Sequence, residues 1–195
     1  TTRKLASSVD CVCISSQESN KYIQGNIIHT GIPLRNDIIE IKKNKACEYL
    51  GLDKSKKTVL VIGGSQGSER INKYFKKNYQ FYIDNNYQLI WQCGVKHYSK
   101  YKNLNINKNI KILDFIDKME YVYSASDIVV SRAGALAVNE IALMKKNMIL
   151  IPLPSSAANH QYYNAKYFSD RDAAILIEEK ELIDGLIEKK ILEVF

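Results

Sequence analysis

The 195-residue sequence has little of what marks several specialised protein classes. It contains three prolines, nine glycines and four cysteines, which excludes a collagen-like rod and a small disulfide scaffold. No apolar run approaches the roughly 20 residues that a membrane-spanning helix needs. The hydrophobic share of 46% and the charged share of 25% are typical of a globular protein.

The cysteines are too scattered to indicate a metal or redox motif. Cys11, Cys13, Cys47 and Cys93 form neither a CxxC pair nor a Cys/His ligand set. We expect them to be small buried hydrophobic residues in a reducing cytosol, with a redox or metal role as the open alternative.

The net charge is +7, from 28 basic and 21 acidic residues. Lys, Asn, Ile and Tyr are all abundant, which is typical of a biased genome composition, so the charge is weak support for nucleic-acid binding. A basic surface would still attract phosphates or an anionic membrane.

Apolar runs alternate with helical patterns along the chain, which is typical of βαβ units and a parallel sheet. The sequence predicts an α/β fold with a doubly wound, Rossmann-like sheet of about six strands from residue 35 onward, and residues 1–34 do not fit as its first unit. Strands are predicted at Val9–Ile14, Asn26–Thr30, Thr58–Ile62, Gln88–Gln92, Asn109–Leu113, Asp127–Val130, Met148–Ile151 and Ala173–Ile177. Helices are predicted at Asp37–Gly51, from Glu69, and at Gly134–Met144, Asn159–Phe168 and Glu179–Ile191.

The first of three unusual loops after predicted strands is the glycine-rich segment 63–68 (GGSQGS). Ligands of open parallel sheets bind outside the carboxyl ends of the strands, and a helix N-terminus after a glycine loop suits a phosphate. No Gly-Lys-Ser/Thr closes this loop, so it is not a Walker motif. A tight strand-to-helix turn without a ligand is the structural alternative.

The second loop, Ser131–Glu140, places Gly134 where a ligand could approach the backbone closely. Glu140 lies about a turn and a half into the following helix, where its carboxylate could accept two hydrogen bonds from a ribose diol. A surface helix residue near a favourable dipole end is the structural alternative for Glu140. Arg132 could meet a phosphate or pair with a carboxylate.

The third loop, Pro152–Gln161, leaves its strand through two prolines. Asn159 is predicted to be the N-cap of the next helix, with His160 and Gln161 at the helix start. An amide offers a donor and an acceptor, which suits sugar hydroxyls, although a capped, solvated helix start is the alternative.

The three loops together favour a nucleotide-sugar site over a dinucleotide site. They also resemble, in order and spacing, the MurG family of peptidoglycan glycosyltransferases, which makes lipid II. The stretches that carry the resemblance are Gly31–Arg35 (GIPLR), Val59–Asn72 (VLVIGGSQGSERIN), Asp114–Ile116, Ser131–Ala142 (SRAGALAVNEIA) and Ile151–Ala165 (IPLPSSAANHQYYNA).

The resemblance implies a GT-B enzyme, in which two Rossmann-like domains face each other across a cleft. Residues 1–34 are expected to be the end of the N-terminal acceptor domain plus a linker, and residues 35–195 the C-terminal domain that binds the UDP-sugar donor. The family transfers N-acetylglucosamine from UDP-N-acetylglucosamine to lipid I. It needs no cofactor or metal, and its general base is expected in the acceptor domain, so we expect this chain to be inactive alone.

The resemblance also assigns roles to individual residues. Arg35 would lie beside the nucleotide and diphosphate, Ser65 on the diphosphate, and Ile116 on the uracil. Gln161 would contact the sugar hydroxyls, and Glu140 the ribose. The nucleotide would be wrapped by a continuous segment: Ala135, Leu136, Ala137, Val138, Asn139 and Glu140. Secondary candidates are Gly64, Gly67, Ser68, Gly134, Asn159 and His160.

The expected partners are UDP-N-acetylglucosamine, and, through the acceptor domain, lipid I and the membrane surface, with no nucleic acid. The expected location is the bacterial cytoplasm, peripheral on the inner membrane. Two other classes stay open: a UDP-sugar epimerase or hydrolase of the same fold, and a non-enzymatic basic module that binds polyanions.

Overall fold

The computed structural model describes residues 2–15 and 17–195, which fall into two compact units, Thr1–Arg35 and Asn36–Phe195. The assignment of residues 1–34 to an acceptor domain stays a prediction.

The first unit holds a short helix, α1 (Thr2–Leu5), and two parallel strands, β1 (Val12–Ile14) and β2 (Ile27–His29). Its small core consists of Ala6, Val12 and Ile14. The cysteine expectation holds for two residues and fails for a third: Cys47 and Cys93 are buried, whereas Cys13 is exposed. Cys13 lies between Val12 and Ile14 in β1, and because side chains alternate along a strand, it points away from the core.

The second unit is built on one six-stranded parallel sheet. The strands are β3 (Thr58–Ile62), β4 (Gln88–Gln92), β5 (Ile110–Leu113), β6 (Ile128–Ser131), β7 (Asn147–Leu150) and β8 (Ile175–Leu176). Their spatial order is β5-β4-β3-β6-β7-β8. The strands β3 and β4 are buried along their whole length, as continuous apolar runs covered on both faces should be. The predicted α/β doubly wound fold is confirmed.

Helices cover both faces of this sheet. The helices are α2 (Lys43–Leu50), α3 (Glu69–Asn78), α4 (Gln80–Asp84), α5 (Val95–Tyr101), α6 (Met119–Ala125), α7 (Ala135–Leu143), α8 (His160–Ser169) and α9 (Leu186–Val194). On one face, α3, α4, α5 and α9 pack on a core around Trp91 and Phe75. On the other, α2, α6, α7 and α8 pack on a core around Leu60 and Ile141.

Two predicted helices are shorter than expected. The segment predicted as helical from Asp37 becomes α-helical only at Lys43, and the Ile41 N–H donates to the Ser124 hydroxyl at 3.0 Å instead. The segment Glu179–Ile191 is interrupted: a 3-10 turn covers Glu179–Glu181, and α9 begins after Gly185, which has a positive φ of 77°. Tertiary contacts and a glycine therefore override helical periodicity at these ends.

The chain reverses its winding direction between β3 and β6, the central pair of the sheet. The connection after β3 leads to α3 on one face, and the connection after β6 leads to α7 on the other. At such a reversal, open α/β sheets bind their ligands in a crevice outside the carboxyl ends of the strands, here those of β3 and β6. The loops after β3, β6 and β7 therefore share one edge.

Candidate functional site

The glycine loop after β3 is packed tightly against the end of β4. Gly67 has a φ of 74°, and a Cβ atom there would lie 1.9 Å from the Cys93 carbonyl oxygen. Gly94 approaches the Gln66 carbonyl in the same way. Chain packing alone thus requires glycine at position 67. At Gly64, by contrast, a Cβ atom would meet nothing within 4 Å, although its φ of 87° still favours glycine.

Ser68 caps the helix that follows this loop. Its hydroxyl oxygen accepts a hydrogen bond from the Ile71 N–H at 3.4 Å, as a helix N-cap does. Ser65 is exposed and lies in the loop before the capping residue Ser68. The unpaired N–H groups and positive dipole end of α3 make this edge of the crevice favourable for an anion.

The loop after β6 leads into α7 through Gly134. Its φ of −66° is one that any residue adopts, and a Cβ atom at this position would meet nothing within 4 Å. Along the candidate segment, Leu136 is 52% exposed, whereas Val138 is buried in the core. Ala135, Ala137 and Asn139 are partly exposed, and the Asn139 amide donates back to the Ala135 carbonyl at 2.8 Å.

Glu140 is buried, with 7% of its surface exposed, and its carboxylate is held by the fold. The Tyr123 hydroxyl of α6 donates to Glu140 Oε2 at 3.1 Å. Tyr123 is not among the residues predicted from the sequence, because no local pattern pairs it with a residue 17 positions away. The hydrogen bond orients a carboxylate that a ribose diol could use.

The third loop contains two consecutive non-glycine residues with positive φ, Ala158 at 47° and Asn159 at 55°. Asn159 occupies the N-cap position of α8, but its side chain makes no cap hydrogen bond, so the predicted capping role is wrong. Its backbone is left-handed, whereas a capping residue has extended backbone, and the Ser156 hydroxyl accepts from the Gln161 N–H at 3.3 Å instead.

Gln161 and His160 are both oriented by this turn. Gln161 Oε1 accepts from the Leu153 N–H at 3.0 Å, which leaves its amide NH₂ as the hydrogen-bond donor toward a ligand. His160 Nδ1 lies 2.8 Å from the Ala157 carbonyl oxygen. Since a carbonyl only accepts, Nδ1 carries the proton, and in the neutral ring Nε2 is an acceptor.

Ile116 follows β5 and is buried, with 8% of its surface exposed, whereas its neighbour Phe115 is 49% exposed. The Gln92 side chain at the end of β4 donates to the Asp114 carbonyl at 3.3 Å, which ties the Ile116 segment to the same edge of the sheet.

Arg132 connects three segments of the crevice and pairs with a carboxylate, Glu179. Its guanidinium also donates to the Ser68 hydroxyl at 2.6 Å and to the Ile151 and Pro152 carbonyls at 3.2 Å each. Carboxylate pairing, one of the two roles predicted for Arg132 from the sequence, is observed, and the phosphate role stays a prediction. Arg35, the remaining candidate, is exposed and is the last residue of the first unit.

Across residues 2–15 and 17–195, no group of three or more His, Cys, Asp or Glu side chains could hold a metal ion. No helix in this described part of the chain has the length and apolar character to cross a membrane.

Comparison with known proteins gives a family match over most of the chain. Residues 58–195 match the glycosyltransferase family 28 C-terminal domain. A relative from Flavobacterium psychrophilum is 39% identical and one from Parabacteroides distasonis 36% identical, over 93% and 96% of this chain. Both are named UDP-N-acetylglucosamine--N-acetylmuramyl-(pentapeptide) pyrophosphoryl-undecaprenol N-acetylglucosamine transferase. The chain spans about half the length of these curated relatives, 50% and 52%.

Solved structures agree on the fold. The crystal structure of Acinetobacter baumannii MurG superposes with a TM-score of 0.66 at 21% identity, covering 97% of this chain and 53% of that one. A UDP-glucose:anthocyanidin 3-O-glucosyltransferase in complex with UDP superposes with a TM-score of 0.61 at 13% identity, covering 98% and 50%.

Proposed function

Because this chain belongs to the glycosyltransferase family 28 C-terminal domain family, we propose that it is the donor-binding part of a peptidoglycan N-acetylglucosamine transferase. The donor is UDP-N-acetylglucosamine, and the acceptor is a muramyl pentapeptide linked through pyrophosphate to undecaprenol. The names of the relatives support this choice of substrates. The observation that carries the proposal is the convergence of three loops, after β3, β6 and β7, at the switch point of the sheet.

Each loop offers chemistry for one part of the donor. The N-terminus of α3, with Ser65 and Ser68, receives the diphosphate, because its N–H groups and dipole favour negative charge. Glu140 accepts hydrogen bonds from the ribose hydroxyls, and the exposed and partly exposed residues of the segment 135–139 lie against the nucleoside, whereas Val138 stays in the core. Gln161 donates its amide N–H to a sugar hydroxyl, and the His160 ring offers an acceptor beside it. Ile116 supplies an apolar contact for uracil.

Transfer then proceeds by displacement at the anomeric carbon. The muramyl C4 hydroxyl attacks that carbon, the bond to the UDP oxygen breaks with inversion, and the hydroxyl proton passes to a general base. The α3 N-terminus stabilises the negative charge that grows on the diphosphate as UDP leaves. We place the base in the acceptor domain and Arg35 at its boundary with the donor domain. With a lipid-linked acceptor, the enzyme works at the cytoplasmic membrane face.

The test is product analysis by chromatography after incubation with UDP-N-acetylglucosamine, alongside saturation-transfer NMR of donor binding. We expect saturation of the uracil, ribose and N-acetyl protons, and no conversion of the donor by the chain alone. Formation of UDP or of an epimerised sugar without an acceptor would favour a hydrolase or epimerase instead. Absence of saturation at millimolar donor would contradict the donor site itself.

A further inference from the structure

We propose that Arg132 is a positioning residue for the diphosphate of the donor; this inference rests on the proposed function. Arg132 directly follows β6, and its backbone N–H donates to the carbonyl of Ile62, the last residue of β3, at 3.2 Å. The Arg132 backbone is therefore fixed at the point between β3 and β6 where the winding of the sheet reverses. Its side chain is 10% exposed, so its partners are fixed by the protein rather than by solvent.

The guanidinium sets the spacing between two of the proposed binding segments. One side donates to the Ile151 and Pro152 carbonyls, where the third loop begins, and the other donates to Ser68 at the start of α3. A planar guanidinium can hold these acceptors at once because its five N–H donors lie in a rigid fork. A lysine ammonium has three donors at one point and cannot span the same acceptors.

The hydrogen bond from Arg132 also determines whether the Ser68 hydroxyl is a donor or an acceptor toward a ligand. Its oxygen accepts from Arg132 Nη2 at 2.6 Å and from the Ile71 N–H at 3.4 Å, which occupies both of its acceptor positions. No acceptor among the described residues receives the hydroxyl hydrogen. That hydrogen is left to donate to a phosphate oxygen at the helix N-terminus, where the guanidinium charge adds to the favourable dipole.

Glu179 partly neutralises the positive charge of the Arg132 guanidinium, which still donates to the Ser68 hydroxyl. The Glu179 carboxylate pairs with Arg132 Nη2, the same nitrogen that donates to Ser68, and its side chain is 22% exposed. Removing the Glu179 charge while keeping its shape should therefore leave the Ser68 contact intact and make the site more positive. This gives a second variant that separates the positioning role from a general loss of folding.

The test uses calorimetric titration of the full 195-residue chain with UDP and with uridine. We expect Arg132→Lys to weaken UDP binding at least tenfold and uridine binding less than threefold, because only the diphosphate depends on Ser68. Adding Ser68→Ala to Arg132→Lys should weaken UDP little further, since both changes remove one coupled contact. Glu179→Gln should bind UDP at least as tightly as the unsubstituted chain, especially at low salt.

The matched control is Arg171→Lys, which alters an exposed arginine stacked on Tyr167 at the end of α8. It should change neither affinity. The inference is overturned if Arg132→Lys binds UDP normally, if it loses UDP and uridine equally, or if Glu179→Gln loses UDP. If the unsubstituted chain binds neither ligand, the proposed function fails first, and this inference falls with it.

Discussion

Replacing Glu140 by Gln should weaken nucleotide binding without disturbing the fold. Glutamine has nearly the same shape and keeps an oxygen that can accept from the Tyr123 hydroxyl, now 3.1 Å from Glu140 Oε2. What it loses is the negative charge that strengthens hydrogen bonds from the ribose hydroxyls. Glu140→Ala is a poorer probe, because it also removes the hydrogen bond that the buried Tyr123 hydroxyl donates, and a hydrogen bond to a charged group contributes about 1.5–3 kcal/mol.

The magnitude follows from the number of contacts. Hydrogen bonds to charged groups contribute about 1.5–3 kcal/mol, against about 0.5–1.5 kcal/mol for neutral ones. Converting two ribose contacts from charged to neutral should therefore cost about 2–3 kcal/mol, or about 30- to 150-fold in Kd. Thermal unfolding of the two proteins should coincide closely, since the Tyr123 contact is retained.

Calorimetry with UDP and with its 2′,3′-dideoxy analogue gives the decisive comparison. The unsubstituted chain should prefer UDP strongly, and Glu140→Gln should remove most of that preference. Glu193→Gln, in which the altered carboxylate pairs with Lys190 on the surface, is the control and should change nothing. If Glu140→Gln folds normally and retains the full preference for the ribose hydroxyls, Glu140 does not bind the ribose.

Three further outcomes are expected from the structure. Gly67→Ala should destabilise the protein by about 3 kcal/mol or more in denaturant unfolding, because a left-handed φ alone costs about 1–2 kcal/mol and the new Cβ atom would overlap the Cys93 carbonyl. Gly134→Ala should leave stability within about 1 kcal/mol but weaken UDP binding; normal binding would place the nucleotide elsewhere. Burial raises the pKa of the Glu188 carboxyl, so its contribution to stability is present below about pH 4.5 and lost as pH rises through the raised value. The difference in free energy of unfolding between Glu188→Gln and the unsubstituted protein should therefore shift in favour of Glu188→Gln as the pH rises toward neutral. A difference that does not change with pH would contradict this.

Most of the sheet was predictable from the sequence because its central strands are buried on both faces. The strands Thr58–Ile62 and Gln88–Gln92 begin and end as predicted, since continuous apolar runs bounded by polar or glycine residues leave little choice. The N-terminus of α3 at Glu69 also agrees, because Ser68 is a strong local cap.

The errors occur where distant residues decide local structure. Ile41 is extended because its N–H donates to Ser124, 83 positions away, which no local pattern indicates. The short helix α6 was not predicted at all. Asparagine favours the N-cap position, but Asn159 has a left-handed backbone and makes no cap hydrogen bond. The Ser156 hydroxyl accepts from the helix instead.

The candidate site shows the same division. The glycines and the strand ends predict which loops could bind a ligand. They do not predict the hydrogen bonds that connect these loops to one another. The sequence favours a phosphate and a carboxylate equally as the partner of Arg132, because Glu179 lies 47 residues later and only the fold brings it beside the guanidinium. The orientation of Glu140 by Tyr123 likewise depends on how α6 packs against α7.

If the proposed function is right, this chain binds a UDP-sugar through its own loops. Calorimetric titration of the 195-residue chain with UDP-N-acetylglucosamine in the presence of EDTA, with ADP-glucose as the comparison ligand, measures this binding. We expect one-to-one binding of UDP-N-acetylglucosamine without a divalent metal, and much weaker binding of ADP-glucose. No heat of binding at millimolar UDP-N-acetylglucosamine, or equal affinity for the two ligands, would contradict it.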